Sequence, residues 1–237
     1  MASWYPIPLL LITVTATILV DERRPPGAPR NIRWLIVWKP LSTLLVILVA
    51  ALSLIHSGKY DALYSALIMA GLILSLAGDV LLILPSPSAF RAGLVAFLCT
   101  HLIYIAAFVH VRIAGVLGLP QPHLPAEVIT AVVLVLVAGA MYLYLKPKLG
   151  QMKTPVVLYI LVISVMLHRA LDVAFTFPGQ PAGGLIAVGA LLFYASDAVL
   201  AVDRFRMGGH MRHGHLWDLS TYYTGQLLIA LSASLMI

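Results

Sequence analysis

DALYSALIMAGLILSLAGDVLLIL, residues 61–84, decides what kind of fold this chain can adopt. A helix needs about 20 consecutive apolar residues to cross the hydrocarbon core of a bilayer, and this stretch has that length. After Asp61 its only charged residue is Asp79. A charged side chain near the middle of a spanning helix costs about 2.5 to 3.5 kcal/mol on insertion scales, so Asp79 must face protein or water rather than lipid. The pattern recurs at YASDAVL, residues 194–200, which encloses Asp197. A carboxylate inside a membrane span is a functional suspect by default.

Outward from this stretch, the whole chain has the same character. Of its 237 residues 61% are hydrophobic and only 10% charged, with a mean hydropathy of +0.99. That composition excludes an ordinary soluble domain. Apolar runs of spanning length fall at about 4–20, 34–54, 61–84, 89–111, 125–145, 154–175, 182–203 and 217–237. The sequence therefore predicts an all-α, polytopic membrane bundle of eight transmembrane helices in one domain, residues 1–237. Seven spans result if the first run, with Pro6 and Pro8 at its start and diluted by threonines, does not cross. A cleavable signal peptide is a poor reading of that run, because no Lys or Arg precedes Asp21 and no small-x-small exit follows.

Charge sets the orientation. With eight spans, the odd connections and adjoining helix ends hold Arg23, Arg24, Arg30, Arg33, Lys39, Arg91, Lys146, Lys148, Lys153, Arg204, Arg206 and Arg212, against Lys59, Arg112 and Arg169 on the even side. The positive-inside rule then places both termini outside and the odd connections in the cytoplasm. The net charge of +6 is explained by basic residues beside anionic headgroups and calls for no nucleic acid. Cys99 is the single cysteine and lies mid-span, so the chain has neither an internal disulfide nor a thiolate cluster.

At ~1.5 Å rise per residue, Asp79 and Asp197 each lie about 8 to 9 Å from the cytoplasmic ends of helices 3 and 7. Lys39, Ser42, Tyr159, Tyr222 and Tyr223 fall at similar depth, with His101 and Gln226 nearer the centre. Residues three or four apart share a helix face. Those faces read Gly71, Ser75, Gly78, Asp79 in helix 3, Gly93, Phe97, His101, Tyr104, Phe108 in helix 4, and Gly189, Phe193, Ser196, Asp197 in helix 7. Small residues permit close helix approach, so both aspartates should point into the bundle, toward a polar pocket with aromatic walls.

In these residues the chain resembles the lysoplasmalogenase family of YhhN-like integral membrane proteins. The resemblance rests on Lys39-Pro40, the Gly71-Leu72 to Ser75 to Gly78-Asp79 run, and Gly93 to Phe97 to His101 to Tyr104. It continues through Gly189-Ala190 to Phe193 to Ser196-Asp197 with Leu200-Ala201, then Tyr222-Tyr223 and Gln226. It implies hydrolysis of the vinyl ether bond of a lysoplasmalogen, with Asp79 and Asp197 as the catalytic pair and a lysophospholipid as substrate, and requires no cofactor or metal. Charge and residue depth place the site in the cytoplasmic half of the membrane, expected to be a bacterial inner membrane. A related ether lipid or lysolipid is the neighbouring possibility.

Two carboxyls suit that chemistry. Hydrolysis begins with proton transfer to the alkenyl carbon distal to the ether oxygen, giving an oxocarbenium-like centre that water captures. One carboxyl in a poorly solvated pocket can stay protonated while its neighbour stays ionised, a division of labour shared with glycosidase carboxylates. The sequence leaves open which is which. Lys39 is the candidate for the lipid phosphate, or else extends to the cytoplasmic surface or forms an ion pair with one of the two aspartates. His101, Tyr159, Tyr222 and Gln226 are candidates for water or glycerol hydroxyls, and Ser75, Tyr104 and Ser196 complete the candidate substrate-binding set. Arg169 and Asp172 should pair with each other. His210, His213 and His215, in a Gly-rich connection without matching carboxylates, read as a solvated or headgroup-contacting loop rather than a metal site. The rival class is a proton-coupled transporter of a small amphiphile using the same aspartates, which broken helices would favour.

Overall fold

The computed structural model describes residues 6–22, 32–58 and 60–236, with the side chains of residues 21 and 22 left aside. Among the charges used for orientation, Arg23, Arg24, Arg30 and Lys59 lie outside the described residues. Among the described residues eight α-helices follow one another: α1 (Pro6–Glu22), α2 (Ile32–Ser57), α3 (Ala62–Ile83), α4 (Pro87–Ala114), α5 (Leu124–Leu145), α6 (Lys153–Thr176), α7 (Pro181–Phe205) and α8 (Gly214–Ser232). Short 3₁₀ turns join α5 to α6 and extend α8. The described residues contain no strand. Each helix lies within a few residues of its predicted run, because the apolar runs end at recognisable punctuation. Asp61 caps α3 by accepting from the Tyr64 amide at 2.7 Å. Proline opens α4, α5 and α7, where its missing N–H has no partner to lose.

Six of the described helices, α2 to α7, are long and apolar enough to cross a membrane. The eight-helix count agrees with the expected number, but α1 is only 17 residues long and α8 misses that hydropathy. The reason for α8 is its inward face, where Tyr222, Tyr223 and Gln226 are buried. Each of α2 to α7 runs unbroken. Pro40 sits inside α2, where a membrane helix tolerates it because neighbours satisfy the freed backbone. Tyr223 ties α8 to α2 beside this proline, donating to the Lys39 carbonyl at 2.8 Å.

Two close helix contacts position the polar residues. The ring of Tyr104 lies where a Cβ on Gly71 would stand, and the ring of Phe97 where one on Gly78 would stand, so α3 and α4 pack through glycine. Between α7 and α8 the approach is backbone to backbone: a Cβ on Gly189 would come within 2.9 Å of the Gly225 carbonyl, and one on Gly225 within 2.7 Å of the Gly189 carbonyl. The two helices are consecutive and antiparallel. Seven residues beyond this crossing on α7 comes Ser196, and seven before it on α8 comes Asp218. Two turns from the crossing on each helix, the two side chains meet.

Candidate active site

Asp79 is wholly buried. Its Oδ2 accepts from Thr43 Oγ1 at 2.5 Å and from the Tyr222 hydroxyl at 2.8 Å. Its Oδ1 lies 3.0 Å from the ammonium of Lys39, an ion pair between a fully buried carboxylate and a side chain that is 14% exposed. The Lys39 ammonium also lies over the Tyr222 ring, 5.8 Å from its centroid. Behind this group runs a buried chain in which Tyr104 donates to Gln226 at 2.9 Å and the Gln226 amide contacts the Tyr222 hydroxyl at 3.3 Å.

Asp197 has a different set of partners. Its Oδ2 accepts from the Tyr159 hydroxyl at 2.6 Å and lies 3.1 Å from His101 Nε2. His101 Nδ1 is buried with no hydrogen-bond partner among the described residues. The side chain with Nε2–H donating to the carboxylate is therefore the tautomer that leaves no N–H stranded. The expectation that the two carboxyls face each other in one niche is not met, because each is engaged by donors from different helices. Contacts pass from Asp79 through Tyr222 to Phe193, 5.3 Å between ring centroids, and from Phe193 to His101, 4.9 Å, before reaching Asp197. Each carboxylate has its own donors, with aromatic rings between the two groups.

Two adjoining cavities meet these groups. A narrow apolar one of about 60 Å³ is lined by Phe97, Tyr159, Tyr194 and Asp197 among others. A polar one of about 290 Å³ is lined by Lys39, Asp203, Arg204, His210, His215 and Asp218 together with apolar residues. Leu82, Phe90, Leu200 and Arg204 belong to both walls. Arg204 lies over the Phe90 ring at 4.6 Å, at this junction. A third groove, about 590 Å³ between α5 and α6, is larger but is lined by no carboxylate, so size alone does not locate the chemistry.

Of the expected site residues, Asp197 and Tyr159 line the apolar cavity and Lys39 the polar one. Asp79, Ser75, His101, Tyr104, Ser196, Tyr222 and Gln226 are buried behind those walls. Ser75 contacts Thr100 at 3.4 Å, and Ser196 donates to Asp218 Oδ1 at 2.8 Å. Sequence reasoning missed two residues. Thr43 shares a helix face with Lys39, four positions on, and that spacing was the available signal. Asp218 lies at the edge of the apolar run 217–237 and so resembles a boundary residue. The helix begins earlier, at Gly214, because the preceding loop folds back with Asp203 accepting from the Met211 amide at 2.8 Å.

At the other end of the bundle Asp172 is nearly buried and receives Arg112 at 2.7 Å and His123 at 2.7 Å, with the expected partner Arg169 farther off at 3.6 Å. His123, Glu127 and Asp172 bring ligand atoms within 4.8 Å of one another. Arg112 and Arg169 already balance the two carboxylates, which makes this an ion-pair cluster tying α4, α5 and α6 together.

The bundle with its buried ionisable groups defines a polytopic integral membrane protein with a site built between helices. The YhhN family model matches residues 34–233, and the chain belongs to that family. It is 38% identical over 175 residues to human "Lysoplasmalogenase TMEM86B", covering 72% of this chain and 64% of that protein. It is 33% identical over 173 residues to bovine "Lysoplasmalogenase TMEM86A", covering 70% and 64%. With the Mycobacterium tuberculosis "Lysoplasmalogenase" it shares 33% identity over 163 residues, covering 67% and 56%. The chain thus spans somewhat under two thirds of the length of these relatives. No solved structure matches it.

Proposed function

We propose that the protein is a membrane hydrolase that cleaves the vinyl ether bond of a lysoplasmalogen, releasing a fatty aldehyde and glycerophosphocholine or glycerophosphoethanolamine. The observation that carries this reading is the junction of the two cavities. A single-chain ether lipid has its charged headgroup, its ether oxygen and its alkenyl chain in that order. The polar cavity with Lys39 and Arg204 suits the phosphate. The apolar cavity, too small for a whole chain, suits its first carbons, with the rest lying in the bilayer. The bond to be broken then lies at the junction, beside Asp197. Relatives that carry the name lysoplasmalogenase support the same substrate class.

In this reading Asp197 is the acid that protonates the distal alkenyl carbon, and Tyr159 and His101 hold its other oxygen so that the proton-bearing one faces the chain. Asp79 acts by position, keeping the Lys39 ammonium where the phosphate arrives and orienting Tyr222. The oxocarbenium-like centre is captured by water, and the hemiacetal collapses to aldehyde and alcohol. The basic odd-numbered connections support a site in the cytoplasmic half of a bacterial inner membrane, with both termini outside.

The test is aldehyde release by the purified full-length protein from 1-alkenyl lysophosphatidylcholine, with the saturated 1-alkyl ether and the 1-acyl ester as controls. The expected result is aldehyde from the alkenyl lipid alone, lost in Asp197→Asn. Fatty acid from the ester without aldehyde would overturn the reading. Uptake into sealed vesicles with no product formed would replace it with the transporter.

A further inference from the structure

Two carboxylates in the polar cavity have no task in the proposed acid chemistry, and of these Asp203 is taken up by the Met211 amide, which leaves Asp218. It lies in the first turns of α8 and lines the polar cavity with Lys39, Arg204 and His215. Ser196 fixes it through a 2.8 Å hydrogen bond to Oδ1. Ser196 is also the residue immediately before Asp197, so one stretch of α7 backbone holds both carboxylates in register. Asp79, in contrast, is wholly buried, lines none of the three cavities, and has both oxygens engaged by Lys39, Thr43 and Tyr222. A group that must take a proton from water needs access to water, and of Asp79 and Asp218 only Asp218 borders a cavity.

From this placement we infer that Asp218, rather than Asp79, is the general base that works opposite Asp197. The inference rests on the ether-hydrolase reading. The vinyl ether runs from the headgroup as O–CH=CH–R, so the carbon attacked by water is next to the ether oxygen, on the side of the polar cavity. The carbon that is protonated is one bond deeper, on the side of the apolar cavity. The carboxyl of Asp197 gives its proton to the deeper carbon, and the C=C electron pair forms that C–H bond. Water then adds to the carbon bearing the ether oxygen while the Asp218 carboxylate takes its proton. The product is a hemiacetal, with Asp197 ionised and Asp218 protonated. In the collapse, Asp218 returns its proton to the ether oxygen as the C–O bond breaks, and Asp197 takes the proton of the hemiacetal hydroxyl as C=O forms. Aldehyde and glycerophospho-alcohol leave, and both carboxyls regain their starting states. One water is consumed and no oxidant or reductant is needed. The 2.8 Å hydrogen bond from Ser196 holds Asp218 Oδ1 in place before water arrives.

The experiment uses the full-length protein in detergent and measures aldehyde release for wild type, Asp197→Asn, Asp218→Asn, Asp218→Glu and Ser196→Ala, with a melting curve for each. Loss of a positioned base costs about 100-fold or more in kcat, and this loss is expected for Asp218→Asn with KM nearly unchanged. Added formate or azide is expected to restore part of the rate to Asp218→Asn and none to Asp197→Asn, which a purely structural role would not produce. If Asp218→Asn melts far below wild type, Asp218→Glu and Ser196→Ala decide, each expected to lower kcat by about tenfold with the fold intact. A raised KM with kcat preserved in Asp218→Asn would overturn the base role in favour of headgroup binding alone. Wild-type kcat in the Glu and Ala variants would overturn it as well. Loss of activity in Asp197→Asn beside full activity in Asp218→Asn refutes this inference and leaves the ether-hydrolase reading standing, whereas no aldehyde from wild type refutes both.

Discussion

Replacing Asp79 by Asn separates what that residue does for the fold from what it does for the reaction. The substitution leaves the shape nearly unchanged but removes the carboxylate that, among the described residues, pairs directly with Lys39, 3.0 Å away. It also turns two charge-assisted hydrogen bonds, from Thr43 and Tyr222, into weaker neutral ones. Removing one partner of a buried ion pair costs about 3 to 5 kcal/mol. Lys39 is 14% exposed and borders the polar cavity, so its ammonium can turn toward water, and the expected loss falls below that range, to about 2 to 3 kcal/mol. At about 2 to 4 °C per kcal/mol for a chain of this size, the melting temperature falls by about 4 to 12 °C. Adding Lys39→Met removes the stranded ammonium, and the double variant should recover at least half of that fall. Aldehyde release should stay low in the single and double variants alike, because neither restores the phosphate contact. Tryptophan-fluorescence melting in detergent reads the first quantity and aldehyde release the second. Asp79→Asn melting within about 1 °C of wild type, or the double variant melting below it, would refute the ion-pair argument.

Tyr159→Phe removes the 2.6 Å donor to Asp197 without opening a cavity; kcat should fall about tenfold with a melting temperature near wild type, checked by steady-state aldehyde release. Gly189→Val places a branched side chain against the Gly225 carbonyl and Ile229, so overpacking of about 1 to 3 kcal/mol should lower the melting temperature and disturb the Ser196 to Asp218 contact, lowering kcat as well. Arg112→Gln deprives the nearly buried Asp172 of one of its two 2.7 Å partners, far from the cavity junction; the melting temperature should drop while kcat of the remaining folded protein matches wild type.

The helices were legible in the sequence because the bilayer imposes a length and a composition on any spanning segment, independent of what the segment packs against. The same solvent argument singled out Asp79 and Asp197, since a carboxylate that lipid cannot accommodate announces an inward face. The i, i+3, i+4 faces of α3, α4 and α7 followed from helical period alone, and Gly71, Gly78, Phe97, His101, Tyr104, Gly189 and Phe193 are buried as those faces require. Which inward residues touch was beyond the reach of periodicity. Lys39 goes to Asp79, and His101 with Tyr159 to Asp197, because distinct helices bring them there. Asp218 carried no signal, lying at the rim of an apolar run, and it became part of the site only through the Gly189 to Gly225 crossing that carries it to Ser196. Transfer free energy acts residue by residue and can be read along a chain; the partner of a buried charge depends on where other helices place their donors, and only the packed bundle decides that.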